Sequence, residues 1–229
     1  MQLSSALEAV KLTIKETSER CSRSAEHIQL VGASKGVLPE KLREAFEVGL
    51  HCFGENRAQE LKAKVHELPG NCEWHFIGGL QTNKVKDVVP WVTLIHSVDR
   101  IELATEIDKR AGLLGKTQKV LVEINVGGET NKHGVAPEKM LDLILFINHC
   151  KNLEVIGLMT VAPFFEDLEK VRPFFRKLRE LKNDLEQRTG LVLPELSMGM
   201  SHDYTVAIEE GSTIVRIGTA IFGTRTHPM

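Results

Sequence analysis

Eight short apolar runs, each ending in a polar or glycine-bearing turn, constrain this chain more than any other feature. They fall at 30–33, around 52–53, at 74–77, 92–95, 120–124 and 155–159, around 196–198, and at 214–217. Each is of strand length. Helical patterns lie between them. Pro39 opens one at its first position, and Ala45, Phe46 and Val48 continue it. Asn56 is a candidate cap for the next, through Leu61 and Val65, and Asp99 for the one carrying Ile101, Leu103, Ala104 and Ile107. Pro137 opens a helix with Met140, Leu141, Ile144 and Leu145. A longer stripe runs from about 167 to 188, with Pro173 marking either a kink or the start of its regular part. A short last helix is predicted from Asp203, its candidate cap, to Gly211. Strands alternating with helices imply a parallel sheet, and eight strands close a (β/α)8 barrel of the TIM type.

The segment before the first run has Leu3, Leu7, Val10, Ile14 and Cys21 at helical spacing. It predicts an extra N-terminal helix in the place of the one missing after strand eight. A chain of 229 residues is long enough for one such barrel, so a single domain over 1–229 is expected. An open doubly wound sheet is the weaker alternative, because the turn Ala33-Ser34-Lys35-Gly36-Val37 is not G-x-G-x-x-G.

Composition narrows the partners. A formal net charge of −2 gives no reason to expect nucleic acid or an anionic membrane. Cys21, Cys52, Cys72 and Cys150 lie far apart and form no CxxC pair, the pattern of reduced thiols in a cytosolic protein. The N-terminus lacks the form of a signal peptide, and no apolar stretch approaches the ~20 residues of a membrane span. A cytoplasmic protein is expected.

In a barrel, the residues that follow the strands converge on one mouth. Here these are Ser34 and Lys35, Glu55 and Asn56, His75, Gly78 and Gly79, His96 and Ser97, Asn125, Met159 and Thr160, Ser201, and Gly218 and Thr219. Loops after the last two strands commonly bind phosphate through backbone N–H groups. Glycine permits close approach there, and Ser and Thr hydroxyls add donors. Ser201, Gly218 and Thr219 therefore form a candidate phosphate cradle. A lysine leaving strand one opposite it suits an aldehyde-bearing phosphorylated cofactor, pyridoxal 5′-phosphate held as a Schiff base on Lys35. Arg216, flanked by Ile214, Val215 and Ile217, points into the barrel. It is either half of an internal salt bridge with Glu55, Glu123 or Asp203, or a donor to the cofactor's pyridine nitrogen. His75, His96 and His202 show no H-x-x-x-H or Cys/His spacing, so structural or pocket-lining roles are favoured over metal ligation. Ser201-His202-Asp203 has a triad's residues but not its geometry, since sequence neighbours cannot relay a proton through one another. The Lys84/Lys86 and Lys132/His133 pairs read as solvated turns.

Together, Val31-Gly32-Ala33-Ser34-Lys35, Phe53-Gly54-Glu55-Asn56, Trp74-His75-Phe76-Ile77-Gly78, Leu80-Gln81-Thr82-Asn83-Lys84-Val85-Lys86, His96-Ser97-Val98-Asp99-Arg100, Gly157-Leu158-Met159-Thr160, Met198-Gly199-Met200-Ser201-His202-Asp203 and 215–223 resemble the pyridoxal-phosphate homeostasis protein family. These small barrel proteins were formerly described as proline synthetase co-transcribed homologues. The resemblance implies an alanine-racemase-type barrel without that enzyme's second domain. It makes Lys35 the Schiff-base lysine, puts the phosphate on Ser201, Gly218 and Thr219, and places Arg216 at the pyridine nitrogen and Asn56 near the ring. Two positions depart from the family pattern: Gly36-Val37 stands where Thr-Lys is frequent, and Gly79 where His is frequent. The implied role is a monomeric carrier that buffers or delivers the cofactor, transiently meeting apoenzymes that use it. The alternatives are an amino-acid racemase or lyase using the same cofactor and, outside that chemistry, a sugar-phosphate enzyme. Racemases of this barrel type complete their sites with a second domain, and no residue here follows Met229 to supply one.

Overall fold

A computed structural model describes residues 2–129 and 133–224. All eight expected strands are present: β1 (Gln29–Ala33), β2 (Cys52–Glu55), β3 (Glu73–Phe76), β4 (Leu94–Val98), β5 (Gln118–Glu123), β6 (Leu153–Met159), β7 (Glu195–Met200) and β8 (Ile214–Ile217). They close a parallel barrel in sequence order, with β8 hydrogen-bonded to β1. The helices are α1 (Leu3–Arg20), α2 (Pro39–Glu47), α3 (Ala58–Lys64), α4 (Val85–Val88), α5 (Ile101–Leu113), α6 (Met140–His149), α7 (Arg172–Thr189), α8 (Tyr204–Glu209) and α9 (Thr219–Phe222).

Helix α1 buries Leu3, Ala6, Leu7, Val10 and Ile14 along one stripe and packs against α8, α9 and α2. It therefore covers the closing seam of the barrel, the role expected for it. Pro39 and Pro173 both stand in first turns, where a missing N–H costs nothing. Pro173 accordingly starts α7 and does not kink it. The main core lies between barrel and helices, while Val31, Cys52, Leu94, Leu121, Met159 and Ile214 form a separate small cluster inside the barrel.

Three expected helix caps are corrected. Asn56 and Asp99 each lie one residue too early, since Arg57 and Arg100 precede α3 and α5. The Asp99 carboxylate is taken by Arg100 at 2.6 Å. Asp203 does precede α8, but its carboxylate turns back to accept from Met200 N–H at 2.7 Å and makes no cap. Strand β4 begins two residues later than expected, because Val92 is apolar for packing in the outer core and is not part of the ladder. The helix predicted last is followed, after β8, by the single turn of α9.

Candidate functional site

Strand register places the predicted residues beside one another. Gly32 pairs with Ile217 across β1 and β8, which brings the Ala33-Ser34-Lys35 end against Gly218. A Cβ added to Gly218 would stand 3.4 Å from Ala33. On the other side Ala33 pairs with Gly54, so Ser34 and Lys35 run out beside Glu55 and Asn56. Met200 pairs with Arg216, which sets Ser201 beside the same corner. Lys35, Asn56, Ser201 and Gly218 are half-buried there, Arg216 is buried and Thr219 is exposed.

The turn that carries Lys35 is braced by residues the sequence did not single out. Lys64, from α3, donates to the Ser34 carbonyl at 2.8 Å, to Glu55 Oε1 at 2.6 Å and to Glu60 Oε2 at 2.9 Å. Ser34 Oγ donates to Glu55 Oε1 at 2.7 Å, and Gly36 N–H to Glu60 Oε2 at 2.8 Å. Both neighbours of Lys35 are thus tied to one ionic knot. Its core is buried, with the Glu55 side chain fully enclosed and that of Lys64 at 7 % exposure. Burial pushes the Glu55 carboxyl upward, and Lys64 pulls it back. The sequence signal was Glu60 and Lys64 at i,i+4 on one helix, a spacing found on many solvated faces. The register against Glu55 distinguishes this pair.

Arg216 makes no ion pair with Glu55, which is committed to Lys64; that part of the salt-bridge expectation is corrected. Its guanidinium donates to the Thr160 carbonyl at 2.8 Å and to Ser197 Oγ. Burial lowers its pKa to about 10, with Glu123 and Asp203 opposing the shift, so it stays a cation at neutral pH. Glu123, buried and near Asp99, is pushed up to about 7, and Arg216 limits the rise.

A polar chain runs from Arg216 through the barrel. Ser197 Oγ meets His96 Nδ1 at 2.9 Å, His96 Nε2 meets His75 Nδ1 at 3.0 Å, and His75 Nε2 meets Glu73 Oε1 at 3.1 Å. The Glu73 carboxylate only accepts, so the chain is ordered from that end, and His96 Nδ1 accepts the O–H of Ser197, whose oxygen accepts in turn from Arg216. His96 then carries its proton on Nε2 and His75 on Nε2, toward Glu73. Burial, with Arg216 and His75 adding to it, holds His96 far below the usual imidazole range and keeps it neutral. The expectation that His75 and His96 line the mouth is therefore corrected. Both sit inside the barrel, and His75 borders a cavity of about 590 Å³ that also touches Gln29, Thr93 and Ile214, at the opposite end.

At the mouth, Ser201 Oγ accepts from Gly218 N–H at 3.1 Å and Ala220 N–H at 3.3 Å. The first turn of α9 thus gathers backbone donors on one oxygen. Asn56 Oδ1 is buried without a hydrogen-bond partner, and a Cβ on Gly78 would lie 2.5 Å from the Asn56 carbonyl. Asn56 is therefore held tightly by Gly78 while its side-chain acceptor remains open. The ring of His133 lies 3.2 Å from where a Cβ of Gly79 would stand, so an imidazole from another loop fills the space beside that glycine. Lys132 lies outside the described residues. His202 bonds the Phe165 carbonyl at 3.0 Å and Asp203 bonds Met200, so no triad forms with Ser201.

The arrangement combines a positioned primary amine, a buried cation and a cluster of anion-seeking N–H groups. The sequence matches the family described as alanine racemase, N-terminal domain, over residues 6–226. A pyridoxal phosphate homeostasis protein from Aquifex aeolicus is 52% identical over 215 residues, 93% of this chain and 94% of its own. Two structures of PipY from Synechococcus elongatus are similar in sequence and fold. The one without pyridoxal phosphate is 33% identical with a TM-score of 0.87, and the one with it bound is 32% identical with a TM-score of 0.85. Each covers 97% of this chain and 100% of the PipY chain.

Proposed function

Because this chain belongs to the family of pyridoxal phosphate homeostasis proteins, built on the alanine racemase N-terminal-domain barrel, we propose that it holds pyridoxal 5′-phosphate at this mouth and serves the cell's supply of that cofactor. The observation that carries the reading is the Lys35 turn, clamped from both sides by the Lys64–Glu55–Glu60 knot and set by register against Gly218 and Ser201. When bound, the cofactor supplies an aldehyde that condenses reversibly with primary amines.

The residues fit that group. Lys35 supplies the amine. Ser201, Gly218 and Thr219 supply phosphate donors, in a corner where two N–H groups already converge on one oxygen. Arg216 would donate to the ring nitrogen, and Asn56, whose Oδ1 is buried without a hydrogen-bond partner, would stand near the ring. Neither departure from the family pattern removes an anchor: the Gly36 N–H is held by Glu60, and His133 stands where a side chain at Gly79 would lie.

The protein acts as a carrier and not as a catalyst. Arg216 cannot readily yield its proton, so it leaves the ring nitrogen neutral and the ring a weak electron sink. The chain works as a monomer and passes cofactor transiently to apoenzymes. One observation favours the racemase or lyase alternative: Glu123, buried with a pKa of about 7, has the acidity of a general base. Deuterium exchange at the α-carbon of free amino acids decides between them. The carrier reading expects exchange no faster than with free cofactor, and exchange exceeding protein stoichiometry would make the protein an enzyme.

A further inference from the structure

At the end of the barrel away from the cofactor mouth, strand register assembles a second group of reactive side chains. Cys52 opens β2, Glu73 opens β3, and the two are paired across the ladder. His75, two residues after Glu73, points to the same face. Cys52 Sγ, a Glu73 carboxylate oxygen and a ring nitrogen of His75 all lie within 4.8 Å of one another, and His75 Nε2 is the nitrogen that meets Glu73. Sequence spacing hides the trio, because one ligand comes from a different strand.

We propose that Cys52, Glu73 and His75 form a binding site for a single zinc-class divalent cation, with its fourth position open to the cavity of about 590 Å³ that Glu73 and His75 border. Thiolate, imidazole and carboxylate are the donor types zinc selects, and three protein ligands with one open position is a recurrent zinc arrangement. A thiolate and a carboxylate neutralise the dication, and the imidazole adds no charge. Tetrahedral bonds of about 2.0–2.3 Å imply ligand edges of roughly 3.3–3.5 Å, so a separation of up to 4.8 Å closes by about 1 Å, while His75 Nε2 and Glu73 Oε1 are already 3.1 Å apart.

The surroundings suit the site. Gln29 Nε2 lies 3.1 Å from Glu73 Oε2 and 3.7 Å from Cys52 Sγ, and Thr93 Oγ1 donates to Glu73 Oε1 at 3.0 Å. These groups fix the carboxylate from outside, as supporting shells of metal ligands do. The other nitrogen of His75 is fixed by His96. Ligation through Nε2 requires the proton on Nδ1, which reverses the polar chain: His75 then donates to His96 Nε2, and His96 donates to Ser197 Oγ. That oxygen has two lone pairs, enough for both His96 and Arg216. The number of protons on the two rings is unchanged. Binding expels one proton, from the Cys52 thiol to solvent, as the S–metal bond forms. Lys119 adds a weaker favourable charge near Glu73.

The test uses the cofactor-loaded protein, stripped of metal with a chelator and titrated with zinc by calorimetry, followed by X-ray absorption at the zinc edge. One zinc per chain is expected, with one sulfur at about 2.3 Å and nitrogen or oxygen at about 2.0 Å. Cys52→Ser should weaken binding at least a hundredfold, beyond the 10–100-fold typical of outer-shell losses. Cys72→Ser should leave it unchanged. Glu73 is half-exposed, so Glu73→Gln gives an independent variant should Cys52→Ser fail to fold, and it too should weaken binding. Absence of stoichiometric zinc, a shell without sulfur, or full affinity in Cys52→Ser or Glu73→Gln overturns the proposal.

Discussion

Replacing Lys64 by methionine removes the hub of the brace behind Lys35 while keeping most of the side-chain volume. The loss is large because the partner left behind is buried: Glu55 keeps only the Ser34 hydroxyl and the Asn56 N–H, at 2.7 and 3.2 Å. Breaking a buried ion pair from one side costs about 3–5 kcal/mol, since an uncompensated charge remains. In a chain of this size that is roughly a 6–20 °C fall in melting temperature. The cost depends on pH in a defined direction. Without Lys64 the raised Glu55 pKa rises further, so the folded chain retains a proton that the unfolded chain releases above its ordinary value near 4.3. Lys64→Met should therefore be closest to wild type at low pH and lose ground as pH rises. Adding Glu55→Gln should recover part of the loss. The Ser34 carbonyl, next to Lys35, also loses a charge-assisted hydrogen bond worth about 1.5 kcal/mol. If that bond pre-orders the amine, cofactor affinity drops about tenfold. Urea unfolding across pH and cofactor titration by absorbance measure the two effects. A Lys64→Met variant within ~1 kcal/mol of wild type and with unchanged affinity would refute the brace.

Ser201→Ala and Thr219→Ala each remove a donor from the phosphate corner and should weaken pyridoxal phosphate binding by about tenfold to a hundredfold in titration, from roughly 1.5–3 kcal/mol per charge-assisted bond. Pyridoxal lacking the phosphate should be insensitive to both changes. Glu123, with its pKa at about 7, holds a proton in the folded state that the unfolded chain has released. Its contribution is complete below about pH 4 and lost as pH rises through 7, a fall of about 3 kcal/mol. Glu123→Gln should flatten that part of the urea-stability profile between about pH 4 and 7. Ser197→Ala separates Arg216 from His96 and should shift the bound cofactor's absorbance without releasing it, an outcome visible in a spectrum of the purified variant.

The barrel was legible because its determinants are periodic. Each strand run sits within about two residues of its place in the sequence, and the α1 stripe buries the residues its spacing implies. The mouth followed from strand order alone: Lys35, Asn56, Ser201 and Gly218 come together because register forces them to. Pairwise polar choices were not legible. Glu55 was an equal candidate for Arg216 until α3 delivered Lys64 to it. Asp203 and Asp99 have the composition of caps, but a backbone N–H and an adjacent arginine reach their carboxylates instead. His75 and His96 stand near strand ends, which in the sequence points to the mouth. Pleat direction, which a sequence of four- and five-residue strands specifies weakly, turns them into the barrel.

Covalent trapping tests whether Lys35 is the amine that captures the cofactor. Protein incubated with pyridoxal phosphate is reduced with borohydride, digested, and mapped by peptide mass. One adduct per chain is expected, on the peptide containing Lys35, and none in Lys35→Ala. An adduct on another lysine, or the same labelling in Lys35→Ala, would contradict it.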